Sequence, residues 1–379
     1  MRLFLSFLRL RLTAFGGPAM VAYIRELALR RQWLSEESFE DGAALCQSIP
    51  GATAMQTAAY VGLRVRGPLG ALAAFAAFGL PAFLLMVILS AVYQASRDVE
   101  SVLSAFRGLH VIVVAIVVNA ALNFGRSPVR NWRDLLLAAG AAAFLFFHVS
   151  PILVIAGSAA LSLLLYHGAK LPLKASHPSG REGGRRTLRS VLVIVLVAAG
   201  GLVTLFFLNE KLFRLGVLMM KVDVFAFGGG FASVPLMLHE VVDARHWMDS
   251  PTFMHGIALG QVTPGPIVIT ATFVGYQLYG IAGAVVGTLG VFTPSFLMVL
   301  ITVPYFDRLS RWLLFRRALR GILASFVGLL AAVSVNFGLA ASWTIPSVLL
   351  ALAAFAALRF KIDVLWVVLV GAGLSVLIL

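Results

Sequence analysis

The sequence predicts an all-α polytopic membrane protein: two homologous six-helix halves in inverted topology plus one linking helix, about 13 transmembrane segments in all. Three observations predict it. Of 379 residues, 60% are hydrophobic and only 12% charged, with a mean hydropathy of +0.96. Several uncharged apolar runs approach the ~20 residues a spanning helix needs. The chain also repeats itself. Phe15-Gly16-Gly17 returns as Phe227-Gly228-Gly229 at an offset of 212, and Glu26, Trp33 and Phe39 return as Glu240, Trp247 and Phe253 at 214. Gly62, Gly67, Gly70 and Pro81 return as Gly275, Gly280, Gly283 and Pro294 at 213, as do Arg107-Gly108 and Asn123-Phe124-Gly125. Charged and aromatic positions match, so shared apolar bias does not explain the repeat. Finally, each half interrupts an apolar run with proline and glycine, at Pro50-Gly51 and Pro264-Gly265. Proline removes a backbone donor and clashes with the preceding turn, and glycine adds freedom, so a helix breaks there.

Taken in order, the expected spans are 3–24, 42–62, 68–94, 102–124, 134–148, 151–167, 188–208, 212–238, 253–276, 281–304, 318–338, 344–358 and 362–379. The first looks like a signal peptide, but Arg9 and Arg11 interrupt it and its pattern returns from Lys221 onward, so it reads as part of the fold. RELALRRQWLSEE, after the first span, is expected along the interface. Ser35-Glu36-Glu37 and Asp249-Ser250-Pro251 carry helix-start signals: a cap with an acidic first turn, and a cap with proline at the first helical position. Residues 1–167 form the first repeat. Residues 168–210 are a basic Gly/Pro/Ser-rich linker plus an apolar run without a counterpart, and 211–379 the second repeat. Six spans plus the extra one put an odd number of crossings between equivalent points, which inverts the second half. With the N-terminus cytoplasmic and the C-terminus outside, 22 of 30 Lys and Arg fall inside and 7 outside. Full but broken crossings are expected at the Pro-Gly segments; re-entrant hairpins there would make the halves parallel.

The net charge of +14 fits basic cytoplasmic loops better than nucleic acid, because no long soluble basic domain is present to hold one. Cys46 is the only cysteine and the seven His are scattered, so neither a disulfide nor a metal site is expected. The chain has no GxxxxGK[ST] phosphate loop, HExxH or clustered acid pair; neither an enzyme nor a cofactor is expected.

The interrupted helices, in corresponding positions of two halves, are the sequence pointer to a transporter's substrate site. A helix broken in hydrocarbon leaves backbone groups that lipid cannot satisfy, and the N-terminus of the following half-helix turns its dipole and free N–H groups toward an anion. Gln47, Pro50, Gly51, Thr53 and Gln56 in the first half, and Gln261, Thr263, Pro264, Gly265 and Thr270 in the second, are the expected substrate contacts. Phe15, Gly16, Gly17, Phe227, Gly228 and Gly229 are expected against them, with close backbone approach through small residues. Arg9 and Lys221, equivalent at offset 212, are expected to supply positive field, with Asp223 a nearby partner for Lys221. Glu26, Glu240, Arg107 and Arg320 are candidates for proton or charge coupling, a salt bridge or a snorkelling anchor being the plainer reading of each. His110 reads as a packed polar residue.

FGGPAMVAYIRE, RQWLSEESFEDGAALCQSIPGATAMQTAAYVGLRVRGPLGA and FGLPAFL together resemble the first domain of the chromate ion transporter family, in its long two-domain form. FGGGFASVPLMLHE, HWMDSPTFMHGIALGQVTPGPIVITATFVGYQLYGIAGA and FTPSFL resemble the second, so the likeness covers essentially the whole chain. The resemblance implies export of chromate, with sulfate as structural mimic, by a secondary transporter of the bacterial inner (plasma) membrane that confers chromate resistance. An importer of sulfate or another oxyanion, or an anion channel, are the alternatives. The partners implied are the oxyanion and the lipid bilayer, and a homodimer is left open.

Overall fold

A computed structural model describes residues 2–13, 20–96, 99–126, 128–168, 184–305 and 312–378. All regular structure among them is helical. The first half comprises α1 (Arg2–Thr13), α2 (Met20–Arg30), α3 (Glu36–Ser48), α4 (Thr53–Ser96), α5 (Glu100–Gly125), α6 (Trp132–Phe146) and α7 (Pro151–Leu165). After α8 (Gly184–Leu208) the same order returns as α9 (Glu210–Phe225), α10 (Ser233–Leu238), α11 (Ser250–Val262), α12 (Thr270–Thr302), α13 (Leu313–Ala340), α14 (Ile345–Arg359) and α15 (Val364–Ile378). Five described helical stretches are long and apolar enough to cross a membrane, within α4, α5, α8, α12 and α13, and α7, α14 and α15 are shorter apolar helices. The chain is a polytopic helical membrane protein.

The Pro-Gly segments are not broken crossings; they are the tips of hairpins. The Tyr60 hydroxyl donates to the Ser38 carbonyl at 2.8 Å, and Gly42 lies against the Tyr60 ring. A continuous helix would hold Ser38 and Tyr60 roughly 33 Å apart. In the second half Gly256 lies against Phe273, the same fold-back. The cause is local. Ile49 is extended after α3 and Gly51 has φ +116°, while Thr263 and Pro266 are extended in the second half. Several consecutive non-helical residues reverse the chain instead of kinking it. The incoming arms α3 and α11 have 13 residues each, roughly 20 Å, which is too short for a bilayer core of about 30 Å.

The expected spans 3–24 and 212–238 fold back as well. Phe7 of α1 stacks on Trp33, beyond α2, at 6.0 Å, and Lys221 of α9 meets Glu240, beyond α10, at 2.7 Å. Within RELALRRQWLSEE, residues 25–30 are the end of α2, 31–35 a turn and 36–37 the start of α3; Leu27 and Ala28 are buried, and its charged residues are exposed. Ser35 and Asp249 cap α3 and α11 as their sequence signals predict, accepting from the amides of Ser38 and Thr252.

A second reversal sits inside α4, at Arg66-Gly67 (φ +67° at Gly67), and inside α12, at Tyr279-Gly280 (φ +60° at Gly280). There Gly62 touches the Gly70 backbone and Gly275 the Gly283 backbone; a Cβ at any of these four would strike a carbonyl. Thr272 and Thr288 hydroxyls meet at 2.7 Å across the second turn. Each re-entrant hairpin therefore runs straight into a long second arm, 68–96 or 281–302.

The halves interlock. α5 packs between α14 and α15 of the second half, and α13 between α6 and α7 of the first. One contact occurs twice. The Ser162 hydroxyl donates to the Arg317 carbonyl (2.7 Å) and the Ser375 hydroxyl to the Ser104 carbonyl (2.5 Å), each hydroxyl over a glycine, Gly321 and Gly108. These pairs are equivalent at offset 213. α8 lies outside, and none of its most apolar 18-residue window is buried.

Candidate functional site

Each hairpin tip of one half rests on elements of the other. The first tip seats on the second half. The Gly51 N–H donates to the Ala226 carbonyl at 2.9 Å and the Ala52 N–H to the Ser295 hydroxyl at 3.1 Å. Ser295 in turn gives its hydroxyl to Asp223 Oδ1 (2.8 Å) and its amide to Oδ2 (2.6 Å). Gln56 Nε2 donates to the Pro50 carbonyl at 2.5 Å, closing the tip from within, and Thr53 lies opposite Gly229. Gly228 and Gly229 adopt φ of +94° and +101°, which a side chain would oppose. Two amides that the sequence assigns to an anion are thus already bonded by the protein.

The second tip seats on the first half, against the equivalents of the same residues. A Cβ at Gly265 would meet Ala82 at 2.7 Å, where Ala82 is the counterpart of Ser295, and would lie 3.8 Å from Arg11 Nη2. Arg11 is the counterpart of Asp223 at offset 212. It is 1% exposed and its guanidinium lies over the Phe78 ring at 4.5 Å. Among the described residues its Nε and Nη1, both buried, have no hydrogen-bond partner, and neither do Gln261 Nε2 on the same tip and Gln56 Oε1 on the other. Thr263 and Thr270 bond carbonyls within their own tip, at Gly260 and Ile267. A buried, unmatched guanidinium costs several kcal/mol unless an acceptor meets it.

The structure separates the sequence candidates. Pro50, Gly51, Thr53, Gln56, Phe227, Gly228, Gly229, Gln261, Thr263, Pro264, Gly265 and Thr270 lie at or beside the tips. Phe15, Gly16 and Gly17 lie outside the described residues. Gln47 is exposed, two residues before the first tip begins at Ile49, and Arg9, Glu26 and Arg107 are exposed as well. Lys221 is exposed and bonded to Glu240, not to Asp223; Glu240 is buried between Lys221 and Arg245. Arg320 makes a two-pronged ion pair with Asp134 (2.9 and 2.8 Å) and lies over Tyr166. His110 stacks on His255 at 4.4 Å.

The residue that sequence reasoning passed over is Arg11. The signal was present: Leu3, Phe7 and Arg11 recur at intervals of four, on one face of α1, and are all buried, whereas Arg9 projects from the opposite face. Leu215, Met219 and Asp223 repeat that face in α9.

Comparison with known proteins converges on one family. The chromate transporter family model matches residues 1–163 and 213–376. An uncharacterized transporter of Methanocaldococcus jannaschii is 45% identical over 100% of this chain and 94% of its own length. A chromate transport protein of Pseudomonas aeruginosa is 32% identical over 99% of this chain and 91% of its own. Another, from Cupriavidus metallidurans, is 30% identical over 95% and 88%. No solved structure matches.

Proposed function

The chain belongs to the chromate transporter family, and we propose that it moves chromate, or a like oxyanion, out of the cytoplasm by alternating access. The observation that carries this reading is Arg11: a buried guanidinium with unpartnered N–H groups beside an interrupted helix. A tetrahedral dianion offers the acceptors this fork lacks. Gln261 and the second tip complete the pocket, and the first tip faces it as the moving counterpart. Arg11 takes over the role that the sequence assigns to Arg9 and Lys221.

The fold-backs support an inverted arrangement by a new count. Because α1–α2 and α3–α4 both return to their starting side, the first half crosses four times, through the long arm of α4, α5, α6 and α7. With α8 the number is five, still odd. By chain position 23 of 30 Lys and Arg then lie on the linker side and six on the other (Arg97, Arg107, Lys211, Arg214, Lys221 and Arg245), with Arg11 between. That asymmetry supports a cytoplasmic N-terminus and linker, an outer C-terminus and the inner membrane as location. An inside-negative potential of 100 mV gives an outgoing dianion roughly 4.6 kcal/mol, about a thousandfold gradient.

Everted vesicles carrying the protein are expected to accumulate labelled chromate, and Arg11→Gln to abolish accumulation with insertion intact. Vesicles that move neither chromate nor sulfate above the empty control overturn the reading.

A further inference from the structure

We propose that Asp223 is the proton-binding residue through which this transporter couples anion movement to H+; the inference rests on the transport reading above. Asp223 is 1% exposed, and among the described residues its carboxylate is held by Ser295, through both amide and hydroxyl. That hydroxyl is also the acceptor for the Ala52 N–H of the first tip, and Gly51 is packed against it. The tip's position is therefore tied to the state of one carboxylate.

No charged group described near Asp223 explains its burial. On α9 itself Lys221 bonds Glu240 and Arg214 bonds Glu210. α12 carries only Tyr276 and Tyr279, near the turn at Gly280, and α10 no titratable group. Among the described side chains of α8 only Arg189, at its start, is charged, and residues 49–53 of the first tip have none. Cys46 lies in the arm that leads to the tip. Arg11, the opposite charge, serves the other tip.

A proton delivered by hydronium, which departs as water, forms an O–H bond at Oδ1 and removes the negative charge. The new hydroxyl donates to Ser295 Oγ, so the Ser295 hydrogen must leave Asp223 for another acceptor. Gln56 Nε2 flanks the same point beside Gly51 as Ser295 Oγ, and Gln56 Oε1 is buried and unpartnered among the described residues, so a turn of that amide, releasing its bond to Pro50, presents Oε1 as the acceptor. Protonation thus rewires the bonds that hold the first tip on the second half. The tip opens or closes with the proton, while the second tip holds the anion.

Full-length protein in liposomes loaded with a pH-sensitive dye, supplied with labelled chromate, tests this. In the wild type, proton movement is expected to start with the anion gradient and to cease without it, and flux to depend on pH. Asp223→Asn is expected to lose the proton signal and flatten the pH profile, while labelled-for-unlabelled chromate counterflow persists at a reduced rate. Asp223→Glu is expected to restore the proton signal with a shifted pH profile, and it carries the test by itself if the Asn variant does not fold. Wild-type flux without proton movement, an Asn variant that keeps the proton signal, or a Glu variant with an unshifted profile overturns the coupling and leaves the transport reading standing. A wild type that moves no oxyanion sinks the transport reading and this inference with it.

Discussion

The two hairpin tips are built to one plan and finished differently. In both, a re-entrant arm ends in proline and glycine against the middle of a long helix of the other half, beside the buried face of a short helix. At the first tip that helix offers Ser295 and the short helix Asp223; at the second they offer Ala82 and Arg11. The first tip is tied by hydrogen bonds to Ser295, Asp223 and Ala226. The second faces a cation with free N–H groups. Duplication fixed the geometry, and two substitutions in one contact divided the work.

Substitutions that erase the difference have the largest expected effect. Arg11→Gln removes the one charge described at the second tip and is expected to abolish chromate flux, whereas Arg9→Gln, on the exposed face, is expected to stay within about twofold; labelled-chromate uptake into vesicles reads both. Gly51→Ala strikes next. It forces a side chain into φ +116° and onto the Ser295 hydroxyl, so flux is expected to fall at least ~5-fold, as a cost of 1–3 kcal/mol of strain implies. Ser295→Ala gives the first tip the residue that Ala82 supplies at the second, with Asp223 still in place. It leaves the Ala52 N–H without an acceptor at a cost of about 1–3 kcal/mol. A lower melting temperature and faster hydrogen exchange across residues 49–56 are its expected signs.

The smallest effect lies outside the membrane, where the halves are alike in having capped arms. Burial pushes the Asp249 carboxyl up, but its bonds with Thr252 outweigh that and hold it below the usual carboxylate range. The cap's stabilisation is therefore present above the ordinary pKa and is lost as pH falls through the lower folded value. Asp249→Ala is expected to cost about 1 kcal/mol at neutral pH and nothing once the carboxyl is protonated, read as melting temperature against pH.

Composition and an offset that drifts by only two residues made the membrane class and the duplication legible, and Pro50-Gly51 and Pro264-Gly265 marked the tips. What the sequence hid was direction. A break in an apolar run is compatible with a kink or a reversal; which occurs depends on how many consecutive residues leave the helical region, and on small residues where the arms meet, such as Gly42 under Tyr60 and Gly256 under Phe273. Hydropathy also does not say which face of α1 is buried. Choosing Arg9 over Arg11 followed from reading charge along the chain and not around the helix. Ion pairs such as Arg320–Asp134 link residues 186 apart, beyond any local pattern.

The interlocking of α5 with α14 and α15 has a consequence for biogenesis. During synthesis α5 enters the bilayer more than two hundred residues before the helices that flank it exist. Until then Gly108 and its neighbours face lipid or a holding chaperone, and the native contact forms only after the last helix leaves the ribosome. Assembly is therefore a late, whole-chain event, and a nascent chain arrested before α14 leaves an open groove that a separately expressed second half would have to fill.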